Sequence, residues 1–278
     1  MRDLHETMTN RILASIDTAG QWRPCWHGMT SGLPINAVTK KRYRGVNVLS
    51  LWTEGYASNR WATFKQWQEL GAQVRKGERG TPIIFYKVIK GETAKDDRLI
   101  LRGSYVFNEA QVEGAPEVPV PTMLSADQRL EALDRWLMDR SHAIQLETGG
   151  GSAFYRPATD TIHMPPFEVF HTPEHYYSVL FHEATHWTGA KHRLDRLEAR
   201  KQAGGVAFEE LIAELGAAFL CAEFGIEQTT RNDHVNYIAS WLEALRGDKR
   251  FIVQAASQAS KAVEFLEAIQ PQEERLAA

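Results

Sequence analysis

The five residues His182-Glu183-Ala184-Thr185-His186 spell the pattern HExxH. Residues four apart on a helix lie on one face, so His182 and His186 can grip a single metal ion. Glu183 follows the first histidine, where its carboxylate can serve as base toward a water in the open coordination position. That is the chemistry of a zinc hydrolase. Two imidazoles leave a four-coordinate ion short of one protein donor, and two sources compete for the place. Read onward through Gly189 to His192, the string becomes HExxHxxGxxH, which makes His192 the third ligand. That longer pattern also needs a methionine turn downstream, and all six methionines lie upstream, the last being Met164. The other source is the apolar segment Phe208–Phe224, which carries Glu209, Glu210 and Glu214. Glu210 and Glu214 are four apart and share a face. One of them can bind the ion while the other holds a ligand histidine from behind. Glu210 is favoured as the ligand with Glu214 behind it; the exchange of the two, and His192, are the alternatives. Zinc suits such a nitrogen and oxygen donor set, and manganese or another divalent ion is compatible with it.

These donors need rigid elements to aim them. Thr172 can cap a helix, Pro173 suits its first position, Glu174 favours its positive end, and Gly189 stops it. Ala143–Leu146 and Ala153–Arg156 read as strands around the turn Gly149-Gly150-Gly151, and Thr161–Met164 as a third. A sheet edge ahead of the HExxH helix is a place where an extended peptide could pair. Ser125 and Gln128 form a capping box that opens a helix to about Arg140. Ile238, Trp241, Leu242 and Leu245 follow helical spacing, and Phe251–Ile269 is an alanine-rich packing helix.

A chain of 278 residues, 43% hydrophobic and 24% charged, has room for two modest domains. No stretch approaches the roughly 18 apolar residues of a membrane-spanning helix, and the first residues lack the apolar core of a signal peptide. Cys25 and Cys221 are far apart and form no CxxC pair, which fits a reducing cytoplasmic setting and excludes cysteine ligation of the metal. The net charge of -3 conceals an asymmetry. Residues 1–114 carry 17 Lys and Arg against 11 Asp and Glu, whereas residues 115–278 carry 15 against 24. Between the halves, Gly114-Ala115-Pro116-Glu117-Val118-Pro119-Val120-Pro121-Thr122 is proline-spaced and reads as a semi-rigid linker. The expected organisation is α+β in two domains: a small basic α+β domain over 1–114, a linker over 115–124, and a mainly helical domain with a small sheet over 125–278.

The basic half is also the aromatic half. It holds Trp22, Trp26, Trp52, Trp61 and Trp67, five of the eight tryptophans. Basic residues interleave with the rings: Lys40, Lys41, Arg42, Tyr43 and Arg44 in one run, then Arg60 beside Trp61, Lys65, Arg75 and Lys76. Single-stranded nucleic acid suits this mixture, because unstacked bases find aromatic faces while cations neutralise phosphates. Trp22, Trp26 and Phe107 are assigned to the core. Expected elements are a helix over Leu4–Ala19, helices at Asn47–Trp52 and Thr63–Leu70, and strands at Thr81–Lys90 and Ser104–Asn108.

Several segments together carry a resemblance. They are Leu33–Thr39, Tyr43–Asn47, Trp61–Gln66, Gly71–Glu78 and Val106–Val112, followed by His182–Gly189, Arg193–Arg196, Glu209–Leu220 and Tyr237–Trp241. In this order they resemble ArdC-type antirestriction proteins, whose N-terminal domain plasmid primases share and whose C-terminal domain is a zincin-like metallopeptidase. Cys25-Trp26 stands where that family carries Pro-Trp. The resemblance implies that the N-terminal domain binds single-stranded DNA, with Lys40, Lys41, Arg42, Tyr43, Arg44, Asn47, Trp61, Lys65, Arg75 and Lys76 as the candidate contacts. It implies a place on conjugative plasmids and protection of incoming DNA from host restriction. It also implies a catalytic Glu183 in a peptidase domain with a possible protein substrate. The family signature includes the acidic helix, which supports Glu210 or Glu214 over His192.

Overall fold

The computed structural model of the chain describes residues 3–18, 32–89, 98–117, 124–198, 205–226, 241, 243 and 247–269. Among the described residues, those up to Glu117 other than Gly32 form one compact unit, and those from Leu124 onward fall in the other. Most of the proline-spaced segment, together with Trp22, Cys25, Trp26, Ile238, Leu242 and Leu245, lies outside the described residues.

The first unit begins with helix α1 (Leu4–Thr18) and continues through β1 (Ile35–Asn36), α2 (Val46–Trp52), β2 (Arg60–Ala62), α3 (Phe64–Glu69), β3 (Gln73–Val74), β4 (Thr81–Ile89), β5 (Arg98–Asn108) and β6 (Val112–Glu113). Four strands form a sheet in the order β1-β2-β5-β4, in which β1 and β2 are parallel and the other pairs antiparallel. β3 and β6 make a separate antiparallel pair. The Thr81–Val106 register puts Ile83 and Val106 against Leu51 and Trp61, the centre of one core cluster. A second cluster joins Ala37, Ala62, Trp67, Ala72, Val74 and Val112, with Phe107 packed against it. β4 ends the sheet, and α2 covers its open edge. The Asn47 amide accepts from Ile84 N at 2.8 Å and donates to Ile84 O at 2.7 Å, and Ser50 Oγ donates to Pro82 O at 2.8 Å. Side chains thereby satisfy edge groups that would otherwise template another strand. Helix α3 is held by a capping box between Thr63 and Gln66. β5 begins six residues earlier than the sequence indicates, because the polar run Arg102-Gly103-Ser104 is carried in the ladder by its partner β4.

The second unit contains α4 (Ala126–Arg140), β7 (Gln145–Thr148), β8 (Phe154–Arg156), β9 (Thr161–Met164), α5 (Pro173–Thr188), α6 (Gly205–Phe224) and α7 (Phe251–Glu267). The capping box at Ser125 and the cap at Thr172 are both formed. The two strands read around the triglycine turn are both present but do not pair with each other. β9 lies between them, parallel to β7 and antiparallel to β8. Gly150 has φ +66 and Gly149 φ +155, so the turn carries the chain past the intervening strand rather than closing a tight hairpin. Helix α6 is buried from Glu209 to Ala222 and packs on both α5 and α7. At the α5–α6 crossing, a Cβ on Gly216 would meet Thr185 Oγ1 at 2.5 Å, so the missing side chain is what lets the two helices approach. α7 presents Ala255, Ala256, Ala259 and Ala262, small enough for close packing. No helix among the described residues is long and apolar enough to cross a membrane.

Candidate metal centre

α5 carries His182, Glu183 and His186, and α6 carries Glu209, Glu210 and Glu214; all six are buried. A helix buried on every side cannot hold three carboxylates without partners, and the partners here are the histidines and one arginine. Glu210 Oε2 lies 3.5 Å from His182 Nε2 and 3.5 Å from His186 Nε2. One donor atom from each of these residues falls within 4.8 Å of the other two. Two imidazole nitrogens and a carboxylate oxygen are a donor set that suits a divalent ion of the zinc type. The same groups also hold one another charged. Burial raises the Glu210 carboxyl, but the two imidazoles outweigh it and hold it far below the usual carboxylate range. Burial would lower His186, but the carboxylates of Glu209 and Glu210 outweigh that and lift it to about 9.

The other ring nitrogens each face a carboxylate. Glu214 Oε2 is 3.8 Å from His182 Nδ1. Glu209 Oε1 is 3.2 Å from His186 Nδ1. Glu209 is itself gripped by Arg196, whose Nε and Nη2 donate to its two oxygens at 3.2 and 3.1 Å. The same guanidinium donates to Thr188 Oγ1 at 2.9 Å and to Thr185 O at 2.7 Å, satisfying a carbonyl near the end of α5. Gly189 makes room for it: a Cβ there would sit 3.0 Å from Arg196 Nη2. The expected helix-stopping glycine has φ -79, so its value is space rather than a left-handed turn. Glu183 is anchored from the sheet, where the backbone N–H of Tyr155 donates to its Oε2 at 2.9 Å. The sequence reading assigns no role to Glu209, Arg196 or this Tyr155 amide. The Arg193–Arg196 segment signals Arg196 only by its position just past the helix.

His192 is exposed and lies 3.3 Å from Asp160 Oδ2, outside the donor cluster. The sequence alternative that made it the third ligand is therefore overturned: the chain turns at Gly189 and carries it to the surface beside the β8–β9 turn. Glu214 sits at the back of the His182 ring, not among the three converging donors.

In the first unit, Lys40, Lys41, Arg42 and Arg44 are exposed, as are Lys65, Arg75 and Lys76. Two expected contacts are corrected. Trp61 is 2% exposed, walled in by Leu51, Ile83 and Val106 with Tyr56 edge-on at 5.5 Å, so its ring offers no face for stacking. Asn47 spends its amide on the β4 edge. Tyr43 is half-buried, and its hydroxyl accepts from Asn36 Nδ2 at 3.3 Å.

Comparison with known proteins bears on both units. Residues 2–123 match the N-terminal domain of anti-restriction factor ArdC, and residues 131–258 match the zincin-like metallopeptidase family. The crystal structure of antirestriction protein ArdC from plasmid R388 superposes with a TM-score of 0.79 at 39% identity, covering 96% of this chain and 97% of that one. The chain belongs to the ArdC family of antirestriction proteins. A Mn(II)-bound structure of the R388 ArdC matches equally well, at 40% identity. An uncharacterized protein, y4eC, of Sinorhizobium fredii is 43% identical over 98% of this chain and 94% of its own length. A DNA primase TraC of Escherichia coli is 36% identical over 95% of this chain, which spans 27% of the primase. The α+β architecture with a zincin-like second domain is thus that of ArdC.

Proposed function

We propose that this ArdC-family protein is a cytoplasmic antirestriction factor that binds single-stranded DNA through its N-terminal unit and hydrolyses peptide bonds with its C-terminal unit. The observation that carries the hydrolytic reading is the convergence of His182 Nε2, His186 Nε2 and Glu210 Oε2 beside a buried, anchored Glu183. His182, His186 and Glu210 would hold a divalent ion, zinc or manganese among the candidates, with Glu214 and Glu209 orienting the two imidazoles. Such an ion polarises a scissile carbonyl and acidifies water. Glu183 takes the proton of the attacking water and passes it to the leaving nitrogen. The Tyr155 amide keeps the Glu183 carboxylate in one orientation through both transfers. The R388 relative's Mn(II)-bound structure supports a divalent ion in this fold. The DNA reading is supported by family membership and by the exposed cations from Lys40 to Lys76.

Glu183→Gln tests the assignment. The variant should keep metal and oligonucleotide binding and lose peptide cleavage by about 10²–10⁴-fold, the usual contribution of a general base. Protection of a transferred plasmid, measured with the same variant, decides whether antirestriction depends on cleavage. Cleavage undiminished in Glu183→Gln would remove Glu183 from the reaction.

A further inference from the structure

The first unit contains an open cavity of about 630 Å³ beside α3, floored by the rings of Phe64 and Phe107 and flanked by Arg75 and Lys76. Phe64 is 43% exposed although it begins a helix whose other ring, Trp67, is fully buried. The two phenyl rings meet edge-on at 6.3 Å, which braces Phe64 while leaving much of it open. A large ring left partly open in a cavity has apolar surface still to bury, so the position suits a ligand with an apolar face.

The surroundings say which ligand. Arg75 is fixed in place, with Nη2 donating to Glu78 Oε1 at 2.8 Å and to Ala110 O at 2.6 Å. Glu78 is also held by Gln111 Nε2 at 2.9 Å, so this acid in the wall is already engaged. The remaining acid, Glu113, and the amide of Gln73 offer hydrogen-bonding groups at the rim. Lys76 lines the cavity and is exposed, and Lys65, next to Phe64 in the chain, is exposed as well. An aromatic floor, polar groups on a wall and cations at the rim match a flat heterocycle joined to phosphates. The basic run leads toward the same place. Asn36 Nδ2 donates to Gln66 Oε1 at 3.1 Å, tying the turn that carries Lys40 and Lys41 to α3. Ala37, Trp67, Val74 and Val112 share one core cluster with Phe107, so the basic turn, the Phe64 helix and the Arg75–Lys76 segment are built on one base.

We infer that this cavity seats an unpaired base of single-stranded DNA on Phe64, with the adjoining phosphate at Lys76 and the strand continuing along Lys65 toward Lys40–Arg44. The inference rests on the single-strand reading above and names its base-binding subsite.

The test is fluorescence anisotropy of the full chain with a labelled oligothymidine, across a salt series, for the wild type, Phe64→Ala, Phe64→Trp and Lys76→Ala. Phe64→Ala should weaken binding roughly five- to hundred-fold, the range that one base-on-ring contact supports, and Phe64→Trp should restore it. Lys76→Ala should reduce the slope of log affinity against log salt by about 0.7, the increment for one phosphate on a single strand. An oligonucleotide lacking its bases should bind the wild type weakly and be indifferent to Phe64→Ala. Wild-type binding with full affinity retained in Phe64→Ala overturns the subsite and leaves the single-strand reading standing. A wild type that ignores the oligonucleotide at low salt overturns both. Loss of affinity that Phe64→Trp does not restore, or that is equal for the base-free strand, shows a structural effect and also overturns the subsite.

Discussion

Replacing Gly216 with alanine would place a methyl group against Thr185 where α5 and α6 cross. The new Cβ would sit 2.5 Å from Oγ1, 2.6 Å from Cγ2 and 3.1 Å from Cβ of Thr185. Thr185 cannot easily step aside: it is fully buried, and its hydroxyl donates to Phe181 O at 2.8 Å. Overpacking of this kind costs about 1–3 kcal/mol. Alanine in place of glycine returns about 1 kcal/mol of helix propensity. Contacts this short fall toward the upper end of the clash, so the net loss should be about 1–2 kcal/mol, or roughly 2–8 °C in Tm for a unit of this size. Relief comes by moving the helices apart, and that draws Glu210 away from the two Nε2 atoms it now meets at 3.5 Å. Affinity for zinc or manganese, followed by calorimetry, should fall about ten-fold, since a loss of roughly 1.4 kcal/mol at the site is one decade. The double variant Thr185→Ala with Gly216→Ala removes two of the three close atoms. It should therefore be less destabilised than the sum of the singles by at least about 1 kcal/mol, the signature of a direct contact. A Gly216→Ala protein with unchanged Tm and metal affinity, or strictly additive singles, would refute the claim that this contact sets the helix spacing.

Four further outcomes follow from the same geometry. Glu209→Gln should weaken metal binding by about 10- to 100-fold by loosening the His186 ring, and a cobalt-substituted protein should show the altered ligand field in its visible spectrum. His192→Ala should leave metal stoichiometry and affinity unchanged, since this side chain is exposed beside Asp160; loss of metal would reinstate it as a ligand. Metal uptake should strengthen as pH rises toward about 9, because the ion must displace the His186 proton; in the metal-free protein the ion pair of that protonated ring contributes stability below about pH 6.5 and loses it as pH rises through about 9. Affinity titrations at three pH values check the first part, and the Tm of chelated protein checks the second. Cys221 is buried, and burial pushes its thiol up to about 12, so peptide mapping should find it unalkylated until the chain is unfolded.

Much of the second unit was legible because its signals are local. The Ser125 and Thr172 caps, the strand Thr161–Met164 and the α5 donors each depend on residues a few positions apart, and the structure places them as read. Long-range choices were not legible. Nothing near the triglycine turn states that β9 will lie between β7 and β8, because that order is set by pairing with a strand further along the chain. Trp61 shows the same limit in the first unit. A tryptophan flanked by Arg60 reads as a stacking ring next to a cation. β2 is an inner strand, however, and the register that pairs Trp61 with Asn108 turns its side chain into the core. Phe64, three residues on, has the less conspicuous ring and the accessible one.

The acidic helix shows why spacing alone left one of its carboxylates, Glu209, without a role. Spacing of four draws attention to Glu210 and Glu214, which share a face. Glu209 is rotated by about 100° from Glu210 and so looks as if it belongs elsewhere. An imidazole, however, presents its two nitrogens in directions far from parallel. Two carboxylates adjacent in sequence can therefore bracket a single ring, and they do at His186, with Glu210 at Nε2 and Glu209 at Nδ1. At His182 the ring lies one turn away along α5, so the carboxylate on its Nδ1 side has to come from one turn along α6, which is Glu214. The two histidines thus share one acid on the metal-facing side and have one each behind. Arg196 supplies the cation that makes the third buried carboxylate tolerable, and the glycine at 189 leaves its guanidinium room beside Glu209. Gly189 and Gly216 accordingly help shape the candidate metal centre, although neither has a side chain to contribute.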